Sequence, residues 1–185
     1  MIAKIQAPKT TDERIHSPHS DRHQLLKVWI AVILWLIVIA IESTSYLSSH
    51  NTSRILYPLL HYLFGIGIDR FETLHFYIRK GGHVFGYGLL SILLFRAIRE
   101  TLPVASGARW TMRWANIAVI GTAFVASLDE WHQSFIPTRT GTIRDVILDT
   151  WAGVGAQILV FLWLLATQSR GPYPRSRLPE TREEQ

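Results

Sequence analysis

The sequence predicts an all-α integral membrane protein: a bundle of four transmembrane helices, with a short interfacial or re-entrant helix between the first and the second. Three observations carry this expectation. Apolar residues make up 48% of the 185 and are gathered into blocks, four of which approach the roughly 20 helical residues that a hydrocarbon core of about 30 Å requires. Lys and Arg stand beside those blocks, as charges that meet lipid headgroups do. The last two blocks are joined by a polar corner, DEWHQSFIPTRTGTIRDVILDTWAG, from Asp129 to Gly153. Ionisable residues at membrane depth are costly, so these face protein or a wet cavity.

Taken in order, residues 1–24 mix charges, Pro and His without periodicity and read as a cytoplasmic tail. The membrane domain covers residues 25–167. Its first helix runs from Leu25 to Leu47, because the 14 uninterrupted apolar residues Val28 to Ile41 are too short to span alone. Glu42 then lies near the outer end, where a carboxylate needs water or a partner. The stretch Ile55 to Ile68, broken by Pro58, His61 and two glycines, is too short for a span and reads as the interfacial or re-entrant helix. Lys80 to Ala97 is the second span, Trp110 to Leu128 the third and Val146 to Ala166 the fourth. Residues 168–185 carry three prolines and many charges and read as an unstructured cytoplasmic tail.

Charge sets the orientation. Thirteen Lys and Arg residues lie in the two tails and the loop between the second and third spans, against six in the other two connections. The positive-inside bias therefore predicts cytoplasmic termini and an outward-facing polar corner. The net charge of +5 belongs to this pattern, so no nucleic-acid partner is predicted. The absence of cysteine removes disulfides and thiolate metal sites. No P-loop, GxSxG or HExxH motif is present, and no cofactor is predicted.

The residues that could carry chemistry fall on three helices. At 100° per residue, Lys80, His83 and Tyr87 share a 60° arc of the second helix and make one polar stripe. Asp129 and Gln133 are an i,i+4 pair with His132 between them, and Glu130 points about 100° away. Asp145 and Asp149 repeat the i,i+4 spacing on the fourth helix. Thr142 with Asp145 has the form of a capping box, and a capping role alone accounts for that pair. Arg139, in the PTRTG turn, pairs with Asp129 or Glu130 or else binds a ligand. Gly82 and Gly86 allow a close helix approach, and Trp114, Trp151 and Trp163 are expected as lipid-facing or interfacial anchors. His61 and His75 have no spaced partner and receive no role.

Lys80, His83 and Tyr87 on a glycine-bearing helix, followed by DExxQ as Asp129, Glu130 and Gln133, then Phe135, Pro137, Arg139 and Asp145, resemble the VanZ-like family from about Trp35 to Val160. The resemblance implies a small multi-pass protein of the bacterial cytoplasmic membrane, in a family named after a member that lowers susceptibility to the glycopeptide teicoplanin. The family's usual Asn is replaced here by Asp149, and its following Gly is displaced to Gly153.

Three functional readings follow. In the first, an outward polar cluster of Arg79, Lys80, His83, Tyr87, Asp129, Glu130, Gln133, Arg139 and Asp145 binds an anionic or polyol headgroup of a membrane lipid or lipid-linked wall precursor. The basic members would hold phosphate. In the second, His83 and Glu130 act as acid and base of a hydrolase or transferase, with or without a divalent ion. In the third, the cluster is an internal ion-pair lock in a structural protein.

Overall fold

A computed structural model describes residues 18–44, 49–104, 108–137 and 139–168. Five helices account for most of them: α1 (Pro18–Glu42), α2 (Ser49–Phe64), α3 (Ile68–Thr101), α4 (Met112–Gln133) and α5 (Ile143–Gln168). No strand occurs among the described residues, so the described fold is all-helical as expected. Residues 1–17 and 169–185 of the expected tails, and residues 45–47 of the expected first helix, lie outside the described residues. α1 starts at Pro18 rather than Leu25, so the end of the expected tail is already helical.

α1, α3 and α5 are long and apolar enough to cross a membrane. α4 has 22 residues, about 33 Å at 1.5 Å per residue. It is not among those three, and Arg113, Asn116, Asp129 and Glu130 interrupt its apolar character. At 34 residues, or about 51 Å, α3 is much longer than a hydrocarbon core of about 30 Å. Its first turns, Ile68 to Arg79, carry α2 alongside them. Tyr57 of α2 meets Phe71 of α3 edge-on at 5.1 Å, and Thr52 shares a 3.0 Å hydrogen bond with His75. α2 ends where Gly65 takes a φ of 64° and its N–H closes on the carbonyl of His61 at 2.8 Å. That left-handed end suits glycine.

α1, α3, α4 and α5 run alternately up and down, as a bundle with short connections does. From the middle of α1, the Trp29 indole N–H donates to Thr101 at the end of α3 (3.1 Å). The Trp114 indole, at the start of α4, donates to the Leu102 carbonyl (2.9 Å). At the other end, Ser43 after α1 meets His132 near the end of α4 (3.1 Å).

Two apolar clusters fill the bundle: Ile39, Tyr87, Leu90 and Ala126 towards the polar corner, and Phe95, Ile98, Trp114 and Ala118 towards the opposite end. Between them the amide of Gln157 donates to the Ser91 carbonyl (3.0 Å) and hydroxyl (2.8 Å). Buried polar groups in an apolar bundle need such partners. Trp114 is only 1% exposed, so it is a core residue and not the anchor expected, whereas Trp151 and Trp163 are exposed. The close helix approach expected at Gly82 and Gly86 is also corrected, since among the described residues nothing lies within 4 Å of a Cβ placed at either. Close approach occurs instead at Gly121, against Leu94, and at Gly153, against Thr122 and Ser91.

Candidate anion-binding cavity and polar cluster

The polar stripe on α3 meets a separate carboxylate at each step. The Lys80 ammonium pairs with the Asp145 carboxylate, and His83 Nδ1 lies 3.3 Å from Asp149 Oδ2. The Tyr87 hydroxyl donates to Asp129 Oδ2 at 2.8 Å, an oxygen that also accepts from Gln133 Nε2 at 3.0 Å. The i,i+4 pairing of Asp129 with Gln133 is thus made within α4, while α5 supplies the partners of Lys80 and His83. Asp149 is completely buried and sits in the cluster, although sequence reasoning left it out of the site. Its i,i+4 spacing from Asp145 was the available signal.

At the corner, the Asp145 N–H donates to Thr142 Oγ1 at 3.3 Å, the N-cap half of a capping box. The other half is not made by Asp145. Glu130 Oε2 accepts the Thr142 N–H at 2.8 Å, which leaves the Asp145 side chain free for Lys80. The reading of Asp145 as a cap alone is corrected accordingly. Arg139 is corrected too: its guanidinium reaches neither Asp129 nor Glu130 but donates to the Glu42 carbonyl and to the Thr44 carbonyl at 2.9 Å. A cation there also faces the negative end of α1. Burial, and then the charge of Arg79, push the Arg139 guanidinium below its ordinary value, while Asp129, Glu130 and Glu42 pull it back up.

Above this cluster, between α2, the first turns of α3 and the corner, lies a cavity of about 750 Å³. Six of the sequence-predicted residues line it: Arg79, Lys80, His83, Gln133, Arg139 and Asp145. Tyr87, Asp129 and Glu130 do not. Tyr87 and Asp129 stand behind His83 around a small void of about 20 Å³, and Glu130 is buried against the corner. The cavity adds Arg54, Tyr57, Glu72 and His75, which sequence reasoning passed over. His75 stacks on Phe71 at 5.3 Å and bonds Thr52, so it has a place that its spacing did not reveal.

Comparison with curated proteins and with solved structures gives no match. The family model described as VanZ/LLP1 matches residues 28–166, from the first turns of α1 to the end of α5 and with every residue of the cavity and cluster inside it. The chain belongs to the VanZ/LLP1 family.

Proposed function

We propose that this protein binds an anionic headgroup, a phosphate carried by a membrane lipid or lipid-linked wall precursor, in the cavity above the polar cluster. The observation that supports this reading is the charge of the walls. Arg54, Arg79, Lys80 and Arg139 face Glu72 and Asp145, and Asp145 is already matched to Lys80. Arg54 and Arg79 carry no ion pair among the described residues, and a planar guanidinium suits bidentate contact with phosphate. α2 exposes Ile55, Leu59, Tyr62, Leu63 and Phe64 nearby, an apolar surface suited to a lipid's chain. Binding is better supported than acid–base chemistry by His83 and Glu130, because the Glu130 carboxylate is held by the Thr142 amide and lies outside the cavity wall.

In this reading the chain crosses the bacterial inner membrane four times, α4 included, and α2 lies in the outer headgroup layer. At 16 residues, or about 24 Å, α2 is short for a span. The alternation of α1, α3, α4 and α5 and the excess of basic residues at one end support cytoplasmic termini.

The test is thermal stability of the detergent-purified protein with dihexanoyl phosphatidic acid or with dihexanoyl phosphatidylcholine. The phosphatidic acid is expected to raise the melting temperature more, and the Arg54→Gln/Arg79→Gln double variant is expected to abolish the difference. Equal responses to the two lipids, or an unaltered response in the double variant, would sink the proposal. The narrower version, a wall precursor as ligand, is tested by teicoplanin susceptibility of bacteria expressing the wild type or the double variant.

A further inference from the structure

We propose that His83, Glu130 and Asp149 form a site for one divalent first-row transition ion of the Mn²⁺ or Zn²⁺ kind, beneath the cavity. The three residues come from α3, α4 and α5, and each offers a ligand atom within 4.8 Å of the other two. No pair of ligands shares a helix, which is why no spacing motif announces the set.

The buried carboxylates supply the second observation. Glu130 is 4% exposed and Asp149 0%. Each has an oxygen with no hydrogen-bond partner among the described residues, Oε1 of Glu130 and Oδ1 of Asp149. A buried carboxylate oxygen without a partner is strongly unfavourable, and among the described residues no Lys or Arg, Arg79 included, is paired with Glu130 or Asp149. Lys80 is paired with Asp145, and Arg139 donates to backbone carbonyls. Two acids therefore share one imidazole, and a dication supplies the missing charge.

One ligand pair already stands at a coordinating distance. The 3.3 Å between His83 Nδ1 and Asp149 Oδ2 is long for a charge-assisted hydrogen bond, typically about 2.7–2.9 Å. It is near the roughly 3.4 Å that separates two ligands at a tetrahedral angle on bonds of about 2.1 Å. The Thr142 N–H on Glu130 Oε2 would orient that ligand from behind, as outer-shell donors do. One imidazole with two carboxylates suits ions of the Mn²⁺ to Zn²⁺ range better than Ca²⁺ or Mg²⁺, which take oxygen alone. Three protein ligands leave a coordination position open, and His83, which also lines the cavity, connects the site to it.

The test uses tag-free protein in detergent, stripped with EDTA and titrated calorimetrically with Zn²⁺ or Mn²⁺ as the only added ligand. About one equivalent is expected to bind, with a rise in melting temperature that EDTA reverses. Asp149→Asn and Glu130→Gln, each isosteric, are expected to weaken binding about tenfold or more, while Asp69→Asn, an exposed acid outside the cluster, leaves it unchanged. The proposal is overturned if the folded wild type takes up no stoichiometric ion, or if both cluster variants bind as tightly as wild type. Should either variant fail to fold, the other one and the EDTA-reversible melting shift of the wild type decide. Because the metal is tested alone, its failure leaves the headgroup reading untouched.

Discussion

The backbone of Gly141 runs so close to the end of α4 that a Cβ at residue 141 would lie 2.1 Å from the carbonyl oxygen of Glu130. The same approach brings the next amide, that of Thr142, onto the Glu130 carboxylate. One glycine in the turn thus lets a carboxylate of α4 cap α5.

Gly141→Ala is expected to push the turn away from α4 and to break the Thr142–Glu130 bond, since the obstructing atoms are backbone. A loss of about 1–3 kcal/mol is the scale of such overpacking. Gly86→Ala is the contrast: among the described residues nothing lies within 4 Å of its Cβ position, and alanine in a helix interior is favoured over glycine by up to about 1 kcal/mol. Melting temperatures in detergent should fall for the first and hold or rise for the second.

Tyr87→Phe removes one of the two donors to Asp129 Oδ2 and leaves a half-buried acceptor poorer by one bond. A destabilisation of about 0.5–1.5 kcal/mol is expected. Tyr62→Phe, on the exposed side of α2, should stay within about 0.5 kcal/mol of wild type. Equal stabilities of the two variants would show that the Tyr87–Asp129 bond contributes nothing measurable.

Arg139→Lys keeps the charge but loses the guanidinium Nη2 that donates to the carbonyls of both Glu42 and Thr44. The end of α1 is then held less firmly to the corner, and a loss of about 1–3 kcal/mol is expected. Thermal stability without added lipid is the readout. A wild-type melting temperature would mean that the contact does not hold α1 in place.

Reporter fusions after Thr44 and after Pro137 are expected to report the same side of the membrane, because Arg139 and His132 touch the residues that end α1. A fusion at Ala108 should report the opposite side. Should all three agree, α4 does not cross.

Much of this protein is local and therefore readable in the chain. Helix periodicity alone put Lys80, His83 and Tyr87 on one face, paired Asp129 with Gln133 and marked Thr142 as the start of α5, because residues three or four apart in a helix are neighbours whatever surrounds it. Apolar length set the order of the helices. What the tertiary structure alone decided is which surfaces meet. Asp145 faces Lys80 and Asp149 faces His83 only because α5 lies against α3 at one rotation and height. Arg139 bonds carbonyls 95 and 97 positions away in the chain, a contact that no local pattern encodes. The burial of Trp114 and the tight contacts at Gly121 and Gly153 were equally hidden. In a membrane protein the faces turned to lipid and to the core are both apolar, so hydrophobicity reports that a helix is embedded but not which side of it is turned inward.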